Sequence, residues 1–240
     1  MAACLAFDTA TEQMSIALAV GDRVWRHDAP GGAQASHELI PAILQLLGNA
    51  GFRLADLQAI AFGRGPGAFT GLRTACSVAQ GLAFGASLPV LPIDTLMAVA
   101  EDARRANAQA VDVWVAMDAR MDEVYAAHYR HDQGQWRVQR EPALYTLDAL
   151  NTLWRAQAPL HVAGSAVDAF AGRLELAGAA VSAGARPTAV AMLPLAQALW
   201  LQGGAVDAAQ ALPLYLRDKV ALTTAEREVV KAAKEAGRVT

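Results

Sequence analysis

One segment, Gly63-Arg64-Gly65-Pro66-Gly67-Ala68-Phe69-Thr70-Gly71-Leu72-Arg73, constrains this chain more than any other. An apolar run from Leu57 to Phe62 reads as a strand before it, and a small-residue helix, Thr70 to Gly85, reads after it. Glycines between a strand and a helix let backbone come very close to a neighbour. That neighbour is either a phosphate or polypeptide, and choosing between them is most of the functional question. The segment is not a P-loop, because no Gly-Lys-Ser/Thr follows. It fits a loose GxGxxG/A string, but the strand before it is not the first of the chain and Pro66 removes an amide donor. Three readings stay open. An anion or nucleotide touches the amides at the helix start, the glycines make a tight turn with close helix packing, or the thin helix (Gly71, Ala75, Ala79, Gly81, Ala83, Gly85) packs against another chain.

The 240 residues are 54% apolar, enough for a substantial core. Alanine and leucine outnumber aromatics, which predicts helix-covered α/β layers. A net charge of −3 argues against gripping nucleic acid alone, though not against acting on RNA through a partner. Cys4 and Cys76 form no CxxC pair and read as buried thiols. No basic leader and no apolar run of about 18 residues is seen, so the expected location is the cytoplasm, with no membrane contact.

Strands are predicted at 4–7, 14–20 and 23–27, and a helix from Ser36, read as its N-cap, to Asn49. The strand and helix around the glycine segment follow, then a strand at 89–93 and a helix at 95–106. The second half repeats this order. Strands at 111–117, 123–129 and 136–138 precede a helix at 147–155, a strand at 160–163, a helix at 166–174, a strand near Ala180 and a helix at 188–203. The prediction is a duplicated βββαβα architecture with a hinge near residues 106–111. Its parts are one lobe over 1–106, a second over 107–218, and a charged tail over 219–240 with a helix from Thr224 to about Ala236.

Asp8 and Asp118 each end a strand beside a turn, where a phosphotransferase holds a metal or its water; asparate is equally a turn former. With Thr9, Gly65, Gly67, Thr70 and Arg120 they are the candidate anion or nucleotide contacts. Arg120 reads either as an anion ligand or as a brace on Asp122. His37 has Pro41 four residues on and so lacks a second metal ligand on its helical face; His128 and His131 point to different faces; His27 and His161 stand alone.

Taken together, Ala6-Phe7-Asp8-Thr9-Ala10-Thr11, Ser36-His37-Glu38-Leu39-Ile40-Pro41, the glycine segment, Asp118-Ala119-Arg120 with Glu123-Val124-Tyr125, and Pro213-Leu214-Tyr215-Leu216-Arg217 resemble the TsaB (YeaZ) family. The resemblance runs in order over nearly the whole chain. It implies an actin/hexokinase/Hsp70 (ASKHA) fold in two lobes. It also implies a non-catalytic scaffold role in making N6-threonylcarbamoyladenosine in tRNAs that read codons starting with adenosine. The implied partners are the catalytic paralogue TsaD and the ATPase TsaE, with a homodimer when the chain is alone and tRNA reached only through the complex. The paralogue carries a metal-binding HxxxH; the corresponding positions here read Thr95 and Val99, so no metal and no catalytic residue is expected. The implied interface is the helix pair 36–49 and 70–85, with His37, Leu39, Ile40, Ile43, Leu44, Leu72, Ala75, Cys76 and Ala79. On this reading, bulk at Ala75 or Ala79 abolishes the complex and spares the fold. No cofactor is required by the chain itself, and ATP or ADP is placed at the partner interface. Ala68 stands where the family usually has serine, which removes a hydroxyl from the loop. The alternative is an ATP-binding phosphotransferase or ATPase using Asp8, Asp118 and the 65–70 turn.

Overall fold

The computed structural model describes residues 1–217; the helix expected over 224–236 lies outside them. The first sheet is built from β1 (Ala3–Asp8), β2 (Gln13–Val20), β3 (Arg23–Pro30), β4 (Ala59–Gly65) and β5 (Val90–Asp94), in the order β3-β2-β1-β4-β5. The second uses β6 (Asp112–Asp118), β7 (Glu123–Asp132), β8 (Gln135–Thr146), β9 (His161–Ala163) and β10 (Ala180–Ser182), in the order β10-β9-β6-β7-β8. Numbered within each half, the two orders are the same. In both, the first strand pairs antiparallel with the second and parallel with the fourth.

The helices are α1 (Ala35–Ala50), α2 (Phe69–Ala86), α3 (Thr95–Ala106), α4 (Leu147–Ala156), α5 (Ala166–Ala169) and α6 (Ala189–Leu201). The period-2 alternation of the central strands sorts the core into layers. Leu5 and Phe7 of β1 pack under α1 and α2, while Cys4 and Ala6 face α6. In β6, Val113, Val115 and Met117 face α3, and Trp114 and Ala116 face α4. The molecule is therefore five layers deep: α1 and α2, first sheet, α3 and α6, second sheet, α4 and α5. Helix α3 is buried on both sides, through Leu96, Val99, Ala100 and Ala103 toward the second sheet and Ala98 toward the first. The Asp94 carboxylate caps it by accepting from the Leu96 and Met97 amides. Helix α6, though it falls within residues 107–218, lies on β1, β2 and β5 of the first sheet.

Several boundaries differ from the sequence reading. Ser36 is inside α1; Gln34 is the N-cap, and the Ser36 hydroxyl donates to the Ala33 carbonyl. Gly63-Arg64-Gly65 continues β4 instead of opening a loop. Strand β8 runs far past Val138, because β7 is long enough to pair with it, through two register shifts, up to Thr146. Only Ala166–Ala169 of the segment 166–174 is helical; Gly172 adopts φ 75 and the chain turns.

The small-residue helix divides by face. Ala75, Ala79 and Ala83 lie against the first sheet and are fully buried. A Cβ on Gly71 would stand 1.8 Å from the Thr9 carbonyl oxygen, whereas one on Gly81 meets nothing within 4 Å. The small residues Gly71, Ala75, Ala79 and Ala83 thus serve the approach of α2 to its own sheet, and Gly81 does not. Two glycines of one helix should respond with opposite signs. Gly81→Ala should stabilise by about 0.4–1 kcal/mol, from reduced freedom of the unfolded chain. Gly71→Ala should destabilise, because backbone must move. Urea unfolding of the two variants checks this, and equal shifts would refute the packing assignment.

Candidate functional site

The two lobes enclose a cleft of about 650 Å³. The first lobe contributes the β1–β2 turn (Ala10–Glu12) and the start of α2 (Gly67–Phe69, Leu72). The second contributes the end of β6 and its turn (Met117–Met121), Tyr125, Ser165 and Arg186. Leu214, Tyr215, Leu216 and Arg217 form a further wall.

Both candidate carboxylates make the same local turn. Asp8 Oδ1 accepts from the Ala10 amide at 2.6 Å, and Asp118 Oδ1 accepts from the Arg120 amide at 2.8 Å. Beyond that they diverge. Asp8 is 1% exposed. Its Oδ2 accepts from the Thr95 hydroxyl at 2.9 Å, and that hydroxyl oxygen in turn accepts from the Gly65 amide at 3.1 Å. A Cβ on Gly63 would fall 1.8 Å from Asp8 Oδ2, so glycine makes room for the carboxylate. Burial pushes the Asp8 carboxyl up to about 6, against the opposing effect of its two hydrogen bonds. Asp118 sits in the cleft wall, its Oδ2 accepting from Arg120 Nη1 at 3.2 Å.

Of the seven candidate anion contacts, Gly67, Asp118 and Arg120 line the cleft and the other four do not. Asp8 is turned inward as described. The buried Thr9 hydroxyl donates to the Gly71 carbonyl at 2.7 Å. The Gly65 amide is committed to Thr95. Thr70 is exposed, and its carbonyl accepts from the Thr74 hydroxyl. Arg120 pairs with Asp118, and the Asp122 carboxylate is bonded by Arg173 at 2.9 Å. The neighbour that the glycine segment approaches is therefore the Asp8–Ala10 turn, reinforced by the Ala68 amide donating to the Ala10 carbonyl at 2.8 Å.

The predicted interface residues separate in the same way. Leu39, Ile43, Ala75, Ala79 and, at 5% exposure, Cys76 belong to the core under α1 and α2, and Leu72 is buried at the cleft beside Gly65. Bulk at Ala75 or Ala79 would consequently test folding and not docking. On the outward face of the same helices stand His37, Ile40 and Leu44 from that set, together with Phe84, which is 83% exposed and which sequence reading passed over. Thr95 holds Asp8 and Val99 is in the core, and neither side chain is a metal ligand. Among the described residues no three His, Cys, Asp or Glu side chains gather as a metal group, and no helix is long and apolar enough to cross a membrane. His128 is tied to Asp112 at 2.6 Å and stacks on Trp114, His131 lies against Trp136, and His161 shares a hydrogen bond with Ser182.

Because the folded value of Asp8 lies above its unfolded one, its favourable contribution is complete below about pH 4 and is lost as pH rises to about 6. Asp8→Asn is neutral throughout. Its unfolding free energy relative to the parent should rise by on the order of 2–3 kcal/mol between about pH 3.5 and about pH 7. Urea unfolding at each pH measures this, and a constant difference would mean that the carboxylate ionises without penalty.

Residues 27–179 match the family model described as TsaD, tRNA N6-adenosine threonylcarbamoyltransferase. The tRNA threonylcarbamoyladenosine biosynthesis protein TsaB of Haemophilus influenzae is 40% identical, over 90% of this chain and 94% of that protein. The protein of the same name from Escherichia coli is 36% identical, over 90% of this chain and 95% of its own length. The structure of YeaZ from Pseudomonas aeruginosa superposes with a TM-score of 0.82 at 39% identity, covering 90% of this chain and all of that one.

Proposed function

The chain belongs to the TsaB (YeaZ) family, within the wider group that the TsaD model describes, and from that premise we propose that it is a non-catalytic scaffold for tRNA threonylcarbamoyladenosine biosynthesis. In this reading it binds and activates the catalytic paralogue TsaD together with the ATPase TsaE, pairs with itself when alone, and meets tRNA only through the complex. The observation that carries the reading is the fate of Asp8. The phosphotransferase alternative needs the Asp8 carboxylate open to the cleft, free to hold a metal or its water. Here both its oxygens are spent on the protein and its surface is sealed. ATP or ADP in the assembly then belongs to the interface with the partner and not to a site around Asp8.

The docking face we assign is the outward side of α1 and α2, where Ile40, Leu44 and Phe84 are exposed apolar side chains. Gly81 and Gly85 leave open space beside Phe84, which lets a partner helix approach closely.

Reconstitution tests the role. With all other components supplied, modified adenosine read by mass spectrometry should appear only when this chain and TsaD are both present. Modification that proceeds equally well without this chain would reject the scaffold role. Leu44→Glu and Phe84→Glu should each weaken TsaD binding at least about tenfold by calorimetry, as expected when an anchor residue is replaced by a charge. Their unfolding curves should stay near the parent's, and unchanged affinity in both would move the docking face elsewhere.

A further inference from the structure

After α6 the described chain runs along the first lobe as far as Tyr215. From α6 it bridges to β5, where Val206 and Val90 exchange backbone hydrogen bonds of 2.9 Å. It then crosses α2, where the Ala211 carbonyl accepts from Gln80 Nε2 at 2.9 Å and from the Cys76 thiol at 3.3 Å. The Leu214 amide donates to the Arg64 carbonyl at 2.7 Å. At that point the strand gives way to the segment: Gly65 has φ 111, and a Cβ there would lie 2.9 Å from the Leu214 carbonyl oxygen. The Tyr215 ring packs at a tilt of 37° against Phe69 with centroids 5.3 Å apart, and its hydroxyl accepts from Arg73 Nε at 3.1 Å. All of these partners belong to the first lobe.

The next two residues belong to the second. Leu216 packs into the core beside α3 that is formed by Ala119, Tyr125 and their neighbours. Arg217 Nη2 donates to Glu123 Oε2 at 2.6 Å and to the carbonyls of Ala119 and Arg120 at 2.9 and 3.3 Å. That fork holds an unusual turn. Arg120, Met121 and Asp122 have φ of 64, 58 and 60, three consecutive non-glycine residues in the left-handed region. Such residues cost of order 1 kcal/mol or more each and persist only where their surroundings over-determine them. Arg217 above the turn and Arg173 on Asp122 are those surroundings.

We infer that residues 211–217 are a strap that locks the two lobes at one angle, threaded past Gly65 on the first lobe and clasped by Arg217 to the left-handed turn on the second. The cleft beneath it is then a fixed cavity and not a closing jaw, and Arg120 and Met121 are presented at its mouth in one arrangement. Hinged two-lobe enzymes need the opposite, a few free residues that let the lobes swing. The strap goes beyond the scaffold reading and concerns this chain alone, so its failure would leave that reading standing.

Interlobe distance tests it on the full-length protein. Spin labels at Gln45→Cys on α1 and Gln139→Cys on β8 sit on exposed positions of opposite lobes, while Cys4 and Cys76 are buried. Electron–electron double resonance on the parent should give one narrow distance. In Tyr215→Ala/Arg217→Ala the distribution should broaden and shift to longer values, with near-ultraviolet circular dichroism retained. Should that variant not fold, Arg217→Gln alone, which loses the ion pair and keeps the Tyr215–Phe69 contact, carries the same expectation. A folded variant with the parent's narrow distribution overturns the strap, and so does a parent that is already broad.

Discussion

The contact on which the rest depends is the one between the glycine segment and the turn after β1. Gly63 leaves space for the Asp8 carboxylate, and Gly71 lets α2 ride on the Thr9 carbonyl. The Thr9 hydroxyl and the Ala68 amide close the gap with hydrogen bonds. A side chain at Gly71 would push α2 off the turn after β1, and one at Gly63 would displace the Asp8 carboxylate. The buried carboxyl is tolerable because its two oxygens have donors, which is the condition for burying such a group at modest cost. One arrangement thus fixes helix height and sheet order. It also seals the group that could have done phosphoryl chemistry.

The second constraint is the shared middle layer. Helix α3 has no solvent face to speak of, and its start is fixed by Asp94. Burial pushes the Asp94 carboxyl up to about 6, against the Arg64 charge and the two cap amides, so this cap is held under the same tension as Asp8. Glu101, 2% exposed, is satisfied by a two-point pair with Arg104 and by the Trp136 indole of β8. The lobes therefore share a helix between them and are strapped at the cleft mouth by residues 211–217.

Much of this was legible in the sequence, and the reason is local. Strand and helix periods, the turn at Gly21-Asp22, the left-handed Gly51 that ends α1 and the repeated strand-Asp-turn all act within a few residues. The duplicated order could be read because it is a sum of such signals. What could not be read depends on pairing across distance. Nothing near Thr95 announces that its hydroxyl meets Asp8, 87 residues away. Nothing near Tyr215 announces Phe69 and Arg73. The small residues of α2 signal close approach, but not which face approaches what, and so Ala75 and Ala79 read as surface when they are core. Phe84, which the sequence reading passed over, stands exposed on the opposite side of the same helix.

The two halves put the same local turn to different structural use. Asp8 and Asp118 end equivalent strands and accept from the amide two residues on, so the turn chemistry is the same. The difference lies in what stands opposite the second oxygen. In the first half it is Thr95, delivered by a helix whose burial on both sides leaves it no freedom to withdraw. In the second it is Arg120, the next residue but one, on an exposed turn. A carboxylate facing a buried hydroxyl becomes part of the frame, whereas one facing a surface guanidinium stays available at the cleft. Asp118 therefore lines the cleft while Asp8 is buried away from it. The strand order and the turn after the first strand are common to both halves, so the divergence rests on one partner of one carboxylate oxygen.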